Sequence, residues 1–173
     1  MTLLIMAGII LCCLLMIYIL LFAPTAIGGE ELNGAKLFLN EKTLRITRPI
    51  KLSGRPDQVW RRASGKLAIV DTKRRKNTTI YESDRVQLSS YRYILRRHPR
   101  TSKNAFDDFG FIRVKIRGKK AEFVRVKLYE DDEIERLHER ATALRRNRAQ
   151  PVAKPARALC KGCGHRKRCR SAL

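Results

Sequence analysis

The first 29 residues carry no charged side chain, and this apolar head constrains the fold more strongly than any other feature of the chain. Its core runs from Thr2 to Phe22 without interruption. At ~1.5 Å per residue, a helix of this length spans roughly the 30 Å hydrocarbon core of a bilayer. The sequence therefore predicts one transmembrane helix, which we assign to an anchor over residues 1–24, with membrane contact through residues 2–22.

A cleaved signal peptide is the competing interpretation of the head. Signal peptides begin with a positive region and end at a small-residue cleavage site after a shorter apolar stretch. Here no Lys or Arg precedes Glu30, and Ala23-Pro24-Thr25-Ala26 is a poor cleavage site, so a retained anchor is favoured. Because every basic residue follows the head, the positive-inside rule places the C-terminal domain in the cytoplasm.

The rest of the chain is strongly basic. There are 38 Lys and Arg against 16 Asp and Glu, and the whole net charge of +22 falls after the uncharged head. Such an excess indicates a polyanionic partner, either nucleic acid or anionic lipid, and charge alone does not choose between them. By length, residues 25–150 suit a single domain, and the proline-containing, basic residues 151–173 read as a C-terminal tail.

The pattern along the domain alternates between strands and helices. We predict a hairpin of two short strands (36–40 and 43–48), a broken strand (51–60), a clear strand (66–71), a helix capped by Asp84 and ending near Arg97, two more strands (111–117 and 123–129) and a helix (131–148). This order is typical of an α/β fold, with a mixed β-sheet flanked by helices.

Two acids adjoin the most strand-like segments. Asp57 ends Ser53-Gly54-Arg55-Pro56-Asp57, and Asp71 ends the clear strand. We expect the two segments to pair and to bring both carboxylates to one edge. Together with the backbone carbonyl of Thr72, these are hard oxygen ligands that suit Mg²⁺ or Mn²⁺. Lys73 shares a strand face with Asp71 and can neutralise charge on a phosphoryl oxygen.

A pair of helix residues completes the motif. Gln87 and Tyr91 are four apart and share one face of the predicted helix, within reach of the carboxylates. The ordered set SGRPD, IVDTK and QLSSY resembles the PD-(D/E)XK nucleases, specifically the RecB-like branch with its Gln-x-x-x-Tyr motif. With the C-terminal cysteines, it is similar to the CRISPR-associated exonucleases of the Cas-four family and their stand-alone relatives.

The resemblance covers residues 44–170 and implies a restriction-endonuclease-like core. It also implies that Asp57 and Asp71 are metal ligands, that Lys73 is the catalytic lysine, and that Gln87 and Tyr91 support the site. The family places a further acid or His on a helix before the first strands. Here only Glu30, Glu31 and Glu41 lie upstream, none of them in a convincing helix.

Three cysteines, Cys160, Cys163 and Cys169, are clustered in the basic tail. Thiolates at this spacing bind Zn²⁺ or an iron–sulfur cluster. In the similar nucleases they join an upstream cysteine to hold a [4Fe–4S] cluster, but the upstream cysteines here, Cys12 and Cys13, lie in the apolar head. Three alternatives follow: a cluster with a non-cysteine or open fourth position, a zinc site completed by His165, or a motif that no longer binds metal.

The sequence thus predicts a membrane-anchored, metal-dependent nuclease that acts on DNA and leaves RNA open as a substrate. The main alternative is an inactive protein of the same fold that tethers DNA to the membrane. A basic protein that binds anionic lipid would explain the charge but not the ordered motif.

Overall fold

The computed structural model describes residues 32–152 and 157–173. The predicted anchor over residues 1–24 lies outside these ranges. Neither range contains a helix with both the length and the apolar character needed to span a bilayer. The chain divides into two compact units, Met1–Asp131 and Asp132–Leu173.

The described part of the first unit is built on a five-stranded mixed sheet. Its strands, in their order across the sheet, are β1 (Lys36–Asn40), β4 (Gln58–Arg61), β5 (Leu67–Arg74), β6 (Phe109–Lys115) and β7 (Glu122–Lys127). The pair of β5 and β6 is parallel, and every other neighbouring pair is antiparallel. This architecture confirms the predicted α/β fold with a mixed sheet.

Strand β5 is buried on both faces. Its first five residues, from Leu67 to Asp71, are all buried. Ala68 and Val70 pack into an aromatic cluster on one face, with Trp60 and Phe111. The alternate residues point toward helix α1 (Glu82–Arg97), which contacts β5 and connects it to the parallel strand β6. Burial on both faces explains why β5 reads as a continuous apolar run.

The predicted hairpin between the first two strands is wrong. Strand β1 pairs with β4, whereas β2 (Leu44–Ile46) pairs with β3 (Leu52–Gly54) in a separate two-stranded sheet. Two features turn the chain away after β1: Glu41 adopts a positive φ of 43°, and its N–H donates to the Asp57 carbonyl. Strands β2 and β3 pack instead against α1, which buries the alternating residues of β2.

Helix α1 begins earlier than predicted. Tyr81 is the N-cap, and Asp84 is the third helical residue instead of the cap. The Asp84 carboxylate accepts a hydrogen bond from the Tyr81 N–H at 2.9 Å, which satisfies a donor at the start of the helix. Asp84 therefore stabilises the helix N-terminus from within the first turn, by accepting a hydrogen bond from the N-cap residue.

The second unit contains most of helix α2 (Asp131–Arg145), which ends three residues before the predicted end at 148. Asn147, just beyond this helix, has a φ of 55°, a left-handed conformation that ends helices. The predicted tail contains the short helix α3 (Arg157–Lys161) and a 3₁₀ turn (Arg166–Arg168).

Candidate active site

Asp57 and Asp71 meet at the edge of the sheet where β4 begins. The segment that pairs with β5 is β4, not the predicted Ser53–Asp57 segment, and Asp57 immediately precedes it. The register places Gln58 opposite Val70, so Asp57 lies beside the next residues of β5. One Asp57 carboxylate oxygen, Oδ2, accepts a hydrogen bond from the Thr72 N–H at 2.8 Å. The predicted convergence of the two acids is therefore present, although a different pairing produces it.

Lys73, Gln87 and Tyr91 join Asp71 in one polar network. The Lys73 ammonium lies 2.8 Å from Oδ2 of Asp71 and donates to Oε1 of Gln87 at 2.8 Å. The Gln87 amide nitrogen donates to Oδ1 of Asp71 at 3.1 Å and to the Tyr91 hydroxyl at 2.8 Å. The structure thus brings together all five side chains that the sequence singled out, on adjacent strands and one helix.

Asp71 is a buried acid with unmet bonding capacity. Burial raises the pKa of this carboxyl group; Lys73 opposes the rise, while the negative charges of Asp57 and Asp84 add to it. The Lys73 ammonium is the charged partner of Oδ2, at 2.8 Å. Within the part of the chain that the structure describes, no other donor reaches this oxygen. A carboxylate oxygen accepts more than one contact, so Oδ2 keeps the capacity to bind a cation.

The donor set fits a small divalent cation. Asp57 and Asp71 supply carboxylate oxygens that lie close enough to influence each other electrostatically. The N–H and C=O of one strand residue point to the same edge, so the Thr72 carbonyl is directed toward Asp57. Oxygen-only ligands of this kind suit Mg²⁺ or Mn²⁺. Among the described residues, no three His, Cys, Asp or Glu side chains gather around one point.

The sequence analysis missed a buried ion pair beside this network. Arg75 binds Asp84 through both guanidinium nitrogens, at 2.7 and 2.5 Å, and also donates to the Thr79 carbonyl at 2.7 Å. Burial acts to raise the pKa of Asp84, but the hydrogen bonds from Arg75 and from the Tyr81 N–H overcome it and lower the pKa. The sequence signal for this pair was the spacing of nine residues between Arg75, which follows β5, and Asp84, in the first turn of α1.

A basic groove adjoins the site at the C-terminal ends of β5 and β6. It has a volume of about 510 Å³, and five of its six lining residues are basic: Arg74, Arg75, Lys76, Lys115 and Arg117, with Ile116. The carboxyl ends of parallel strands are the usual position for ligand sites in α/β folds. A groove lined by cations without an acid is suited to a polyanion.

The three tail cysteines remain a predicted metal site only. Cys160 is buried, Cys163 is exposed and Cys169 is partly exposed. Their backbones are linked by short turns, with the Cys163 N–H donating to the Cys160 carbonyl at 3.3 Å. The described residues do not collect these thiols, or His165, into a metal-binding group.

Comparison with known families assigns the chain. A family model described as "PD-(D/E)XK nuclease superfamily" matches residues 22–170, most of the sequence. The chain belongs to the PD-(D/E)XK nuclease superfamily. This membership confirms the superfamily predicted from the Asp57, Asp71 and Lys73 motif, and the mixed sheet of the first unit is consistent with its restriction-endonuclease-like core.

Nineteen solved chains also match this PD-(D/E)XK protein. One, described as "Crystal structure of SSO0001", shares 16% sequence identity, with 98% of this chain and 71% of that chain covered and a TM-score of 0.48. No curated protein matches. The roles of individual residues in this PD-(D/E)XK site remain predictions from the motif and the geometry.

Proposed function

We propose that this protein is a membrane-anchored deoxyribonuclease that needs Mg²⁺ or Mn²⁺, and that it is an exonuclease of the RecB-like, Cas-four-like branch. The observation that carries the proposal is the convergence of Asp57, Asp71, Lys73 and Gln87 at one sheet edge. Superfamily membership supports nuclease chemistry, and the adjoining basic groove supports a nucleic-acid substrate.

In this mechanism Asp57, Asp71 and the Thr72 carbonyl would hold the divalent cation. When bound, the cation polarises the scissile phosphate and offsets its negative charge. Lys73 has three N–H donors, of which Gln87 takes one. A remaining donor is free to orient the attacking water or to stabilise charge on a phosphoryl oxygen in the transition state. Gln87 fixes the ammonium for this task by accepting from it while donating to Asp71.

The test is a cleavage assay on the full-length protein in detergent, with end-labelled single- and double-stranded DNA. We expect cleavage with Mg²⁺ or Mn²⁺, none in EDTA, and a loss of about 10²–10³-fold in Lys73→Ala, the range found when one such electrostatic contact is removed. The order in which the labelled ends are released distinguishes exonuclease from endonuclease action and gives the polarity.

Lys66→Ala is the matched control, because Lys66 is an exposed lysine that directly precedes the same strand β5. It should cleave at the wild-type rate. Equal activities of Lys73→Ala and Lys66→Ala would exclude the proposed mechanism. An RNA substrate cleaved faster than DNA would replace the proposed substrate.

A second candidate is an inactive protein of the same fold that tethers DNA to the membrane. The favouring observation is that only Asp57 and Asp71 converge among the described residues, because the nearby Asp84 is bound to Arg75. This candidate predicts tight, salt-sensitive DNA binding with no turnover under any divalent metal. Membrane anchoring itself predicts that the full chain sediments with the bilayer fraction and needs detergent for release.

A further inference from the structure

A second pocket lies at the opposite end of the sheet from the candidate active site. It has a volume of about 390 Å³ and is lined by Arg92, Arg96, Ser102, Asn104, Ala105 and Phe106, which we call the Arg92 pocket. Its loop pairs with the first residue of β5: the Leu67 N–H donates to the Ala105 carbonyl, and the Asp107 N–H donates to the Leu67 carbonyl. Asp71 lies four residues further along the strand, roughly 13 Å away.

Arg92 is a buried cation with spare donors. The residue is 4% exposed, and its guanidinium contacts two carbonyls, at 2.6 Å from Tyr129 and at 3.4 Å from Asp107. Its one acidic contact is with Glu130 at 3.4 Å, and that side chain is 64% exposed to water. Its Nε is buried without a hydrogen-bond partner among the described residues. Three contacts do not exhaust the five N–H donors of a guanidinium.

The charge around the Arg92 pocket is positive. Arg96 is four residues after Arg92 and therefore lies on the same helix face. Its guanidinium lies 3.3 Å from the Asp131 carboxylate, which Arg97 also binds at 2.9 Å, so two arginines share one acid. The lining includes no acid, and the nearest buried acid, Asp107, is bound to Arg62 at 3.1 Å. A buried guanidinium is costly unless a negative group is close, and the one acid that contacts Arg92 is largely exposed to water. The three arginines of this region share two acids, so the net charge at the pocket is positive and favours an anion.

The polar groups of the pocket are mostly donors. Arg92 and Arg96 present guanidinium groups, and Ser102 contributes a hydroxyl. The Asn104 side chain is held in one orientation, because its amide nitrogen donates to the Thr101 carbonyl at 2.9 Å and its oxygen accepts from Arg61 at 2.8 Å. Paired guanidinium groups match the several oxygens of a tetrahedral oxyanion.

We propose that the Arg92 pocket is a phosphate-binding site separate from the active site. The ligand is a phosphate group, carried by a small phosphate or mononucleotide, or by the backbone of a bound nucleic acid. This inference does not depend on cleavage, so a Lys73→Ala protein should bind the same ligand equally well.

The first experiment titrates inorganic phosphate into the full-length protein by calorimetry, in EDTA and at constant ionic strength. We expect saturable binding that weakens about tenfold in Arg96→Gln, the effect of one charge-assisted hydrogen bond. Ser102→Asp places a carboxylate in the pocket and should abolish binding. These two exposed positions are preferred to Arg92, whose loss would also release the Tyr129 carbonyl.

Arg100→Gln is the matched control, because it removes one exposed positive charge from the same region without lining the pocket. A 5′-mononucleotide and a labelled oligonucleotide distinguish the two sources of phosphate. If Arg96→Gln weakens phosphate and mononucleotide binding alone, the ligand is a small phosphate. If it also weakens oligonucleotide binding beyond Arg100→Gln, the ligand is a backbone phosphate.

The proposal is overturned if Arg96→Gln and Ser102→Asp bind phosphate and oligonucleotide as Arg100→Gln does. Nuclease activity is measured on the same proteins as a separate readout. Because the pocket lies away from Asp71 and Lys73, a failed cleavage assay would count against the proposed function without affecting this result.

Discussion

Gln87 is the residue that joins the two halves of the candidate site. Its amide oxygen faces the Lys73 ammonium, and its amide nitrogen faces both the Asp71 carboxylate and the Tyr91 hydroxyl. The amide orientation is therefore imposed by a cation on one side and an anion on the other. Neither Ala nor Glu reproduces this arrangement, because Ala removes both contacts and Glu places a negative charge against Asp71.

We predict that Gln87→Ala lowers single-turnover DNA cleavage by roughly 10- to 100-fold, the range found for partners that orient metal-site ligands. Tyr91→Phe is the comparison, because it removes one hydroxyl acceptor and keeps the packed ring; we expect a loss of only a few-fold. If Tyr91→Phe were as damaging as Gln87→Ala, the orientation of the Gln87 amide would depend on the Tyr91 hydroxyl and not on Lys73 and Asp71.

Asp71 should reduce folding stability at neutral pH. Its pKa is raised in the folded protein, chiefly by burial, so the folded state binds its proton more readily than the unfolded chain. The penalty is absent below the unfolded pKa, near 3.8, grows as pH rises to the folded pKa, and is constant above it. Asp71→Asn should therefore raise the unfolding free energy at pH 7 in EDTA, while abolishing activity.

Urea unfolding of Asp71→Asn and wild type between pH 3.5 and pH 7 checks this prediction, with the exposed Asp108→Asn as a reference. The difference between Asp71→Asn and wild type should shrink as pH falls. A variant that is less stable than wild type at pH 7 would mean that the Lys73 ion pair outweighs the cost of burying the carboxylate.

At the scale of elements, the placement of helix α1 on strand β5 determines whether the site assembles. Arg75 follows β5, and Asp84 lies in the first turn of α1, one turn before Gln87. Their bidentate contact fixes the start of the helix relative to the strand. At Gly54 an added Cβ would come within 2.9 Å of the Tyr91 ring, so β3 fixes the same helix from its other side.

We predict that Asp84→Asn destabilises the protein by about 3 kcal/mol at pH 7, because it leaves the Arg75 charge without its buried partner. The pKa of Asp84 is lowered in the fold, so this stabilisation is present above the unfolded pKa of about 3.8 and is lost as pH falls through the folded value. The gap between variant and wild type should therefore close in acid.

Thermal unfolding measured against pH tests the Asp84 prediction. Asp132→Asn is the control, because the ion pair of Asp132 with Arg136 is exposed on both sides and should contribute nothing measurable. A pH-independent gap would attribute the loss to helix capping and not to the charge pair.

Local sequence patterns were sufficient to predict strand β5, helix α1, and the shared faces of Asp71 with Lys73 and of Gln87 with Tyr91. These patterns failed where a strand or side chain pairs with a residue that is distant in the sequence. Strand β1 pairs with β4 instead of its neighbour β2, since β2 is stabilised by packing under α1, which no local pattern reveals. The Arg75–Asp84 pair was missed for the same reason, because it depends on how a helix docks against a strand.

At the scale of the whole molecule, positive charge exceeds what solubility requires, and part of it is concentrated beside the candidate site. The basic groove lies at the C-terminal ends of β5 and β6, next to Lys73 of the candidate site. The proposed anchor would hold this groove near the membrane, whose anionic lipids compete for the same cations. Specific DNA binding by the groove is therefore the property that separates the proposed nuclease from a lipid-binding basic protein.

We predict that Arg74→Gln with Lys115→Gln weakens DNA binding and lowers the slope of log affinity against log salt by about 2, since each phosphate contact to duplex DNA contributes about 0.9. These residues are register partners on β5 and β6 and both line the groove. Lys36→Gln with Lys66→Gln removes the same charge from exposed positions outside the groove lining. Fluorescence anisotropy between 50 and 300 mM salt should show the changed slope only in the groove variant. Equal slopes in both double variants would mean that DNA responds to total charge, and the groove would then have no special part in holding the substrate.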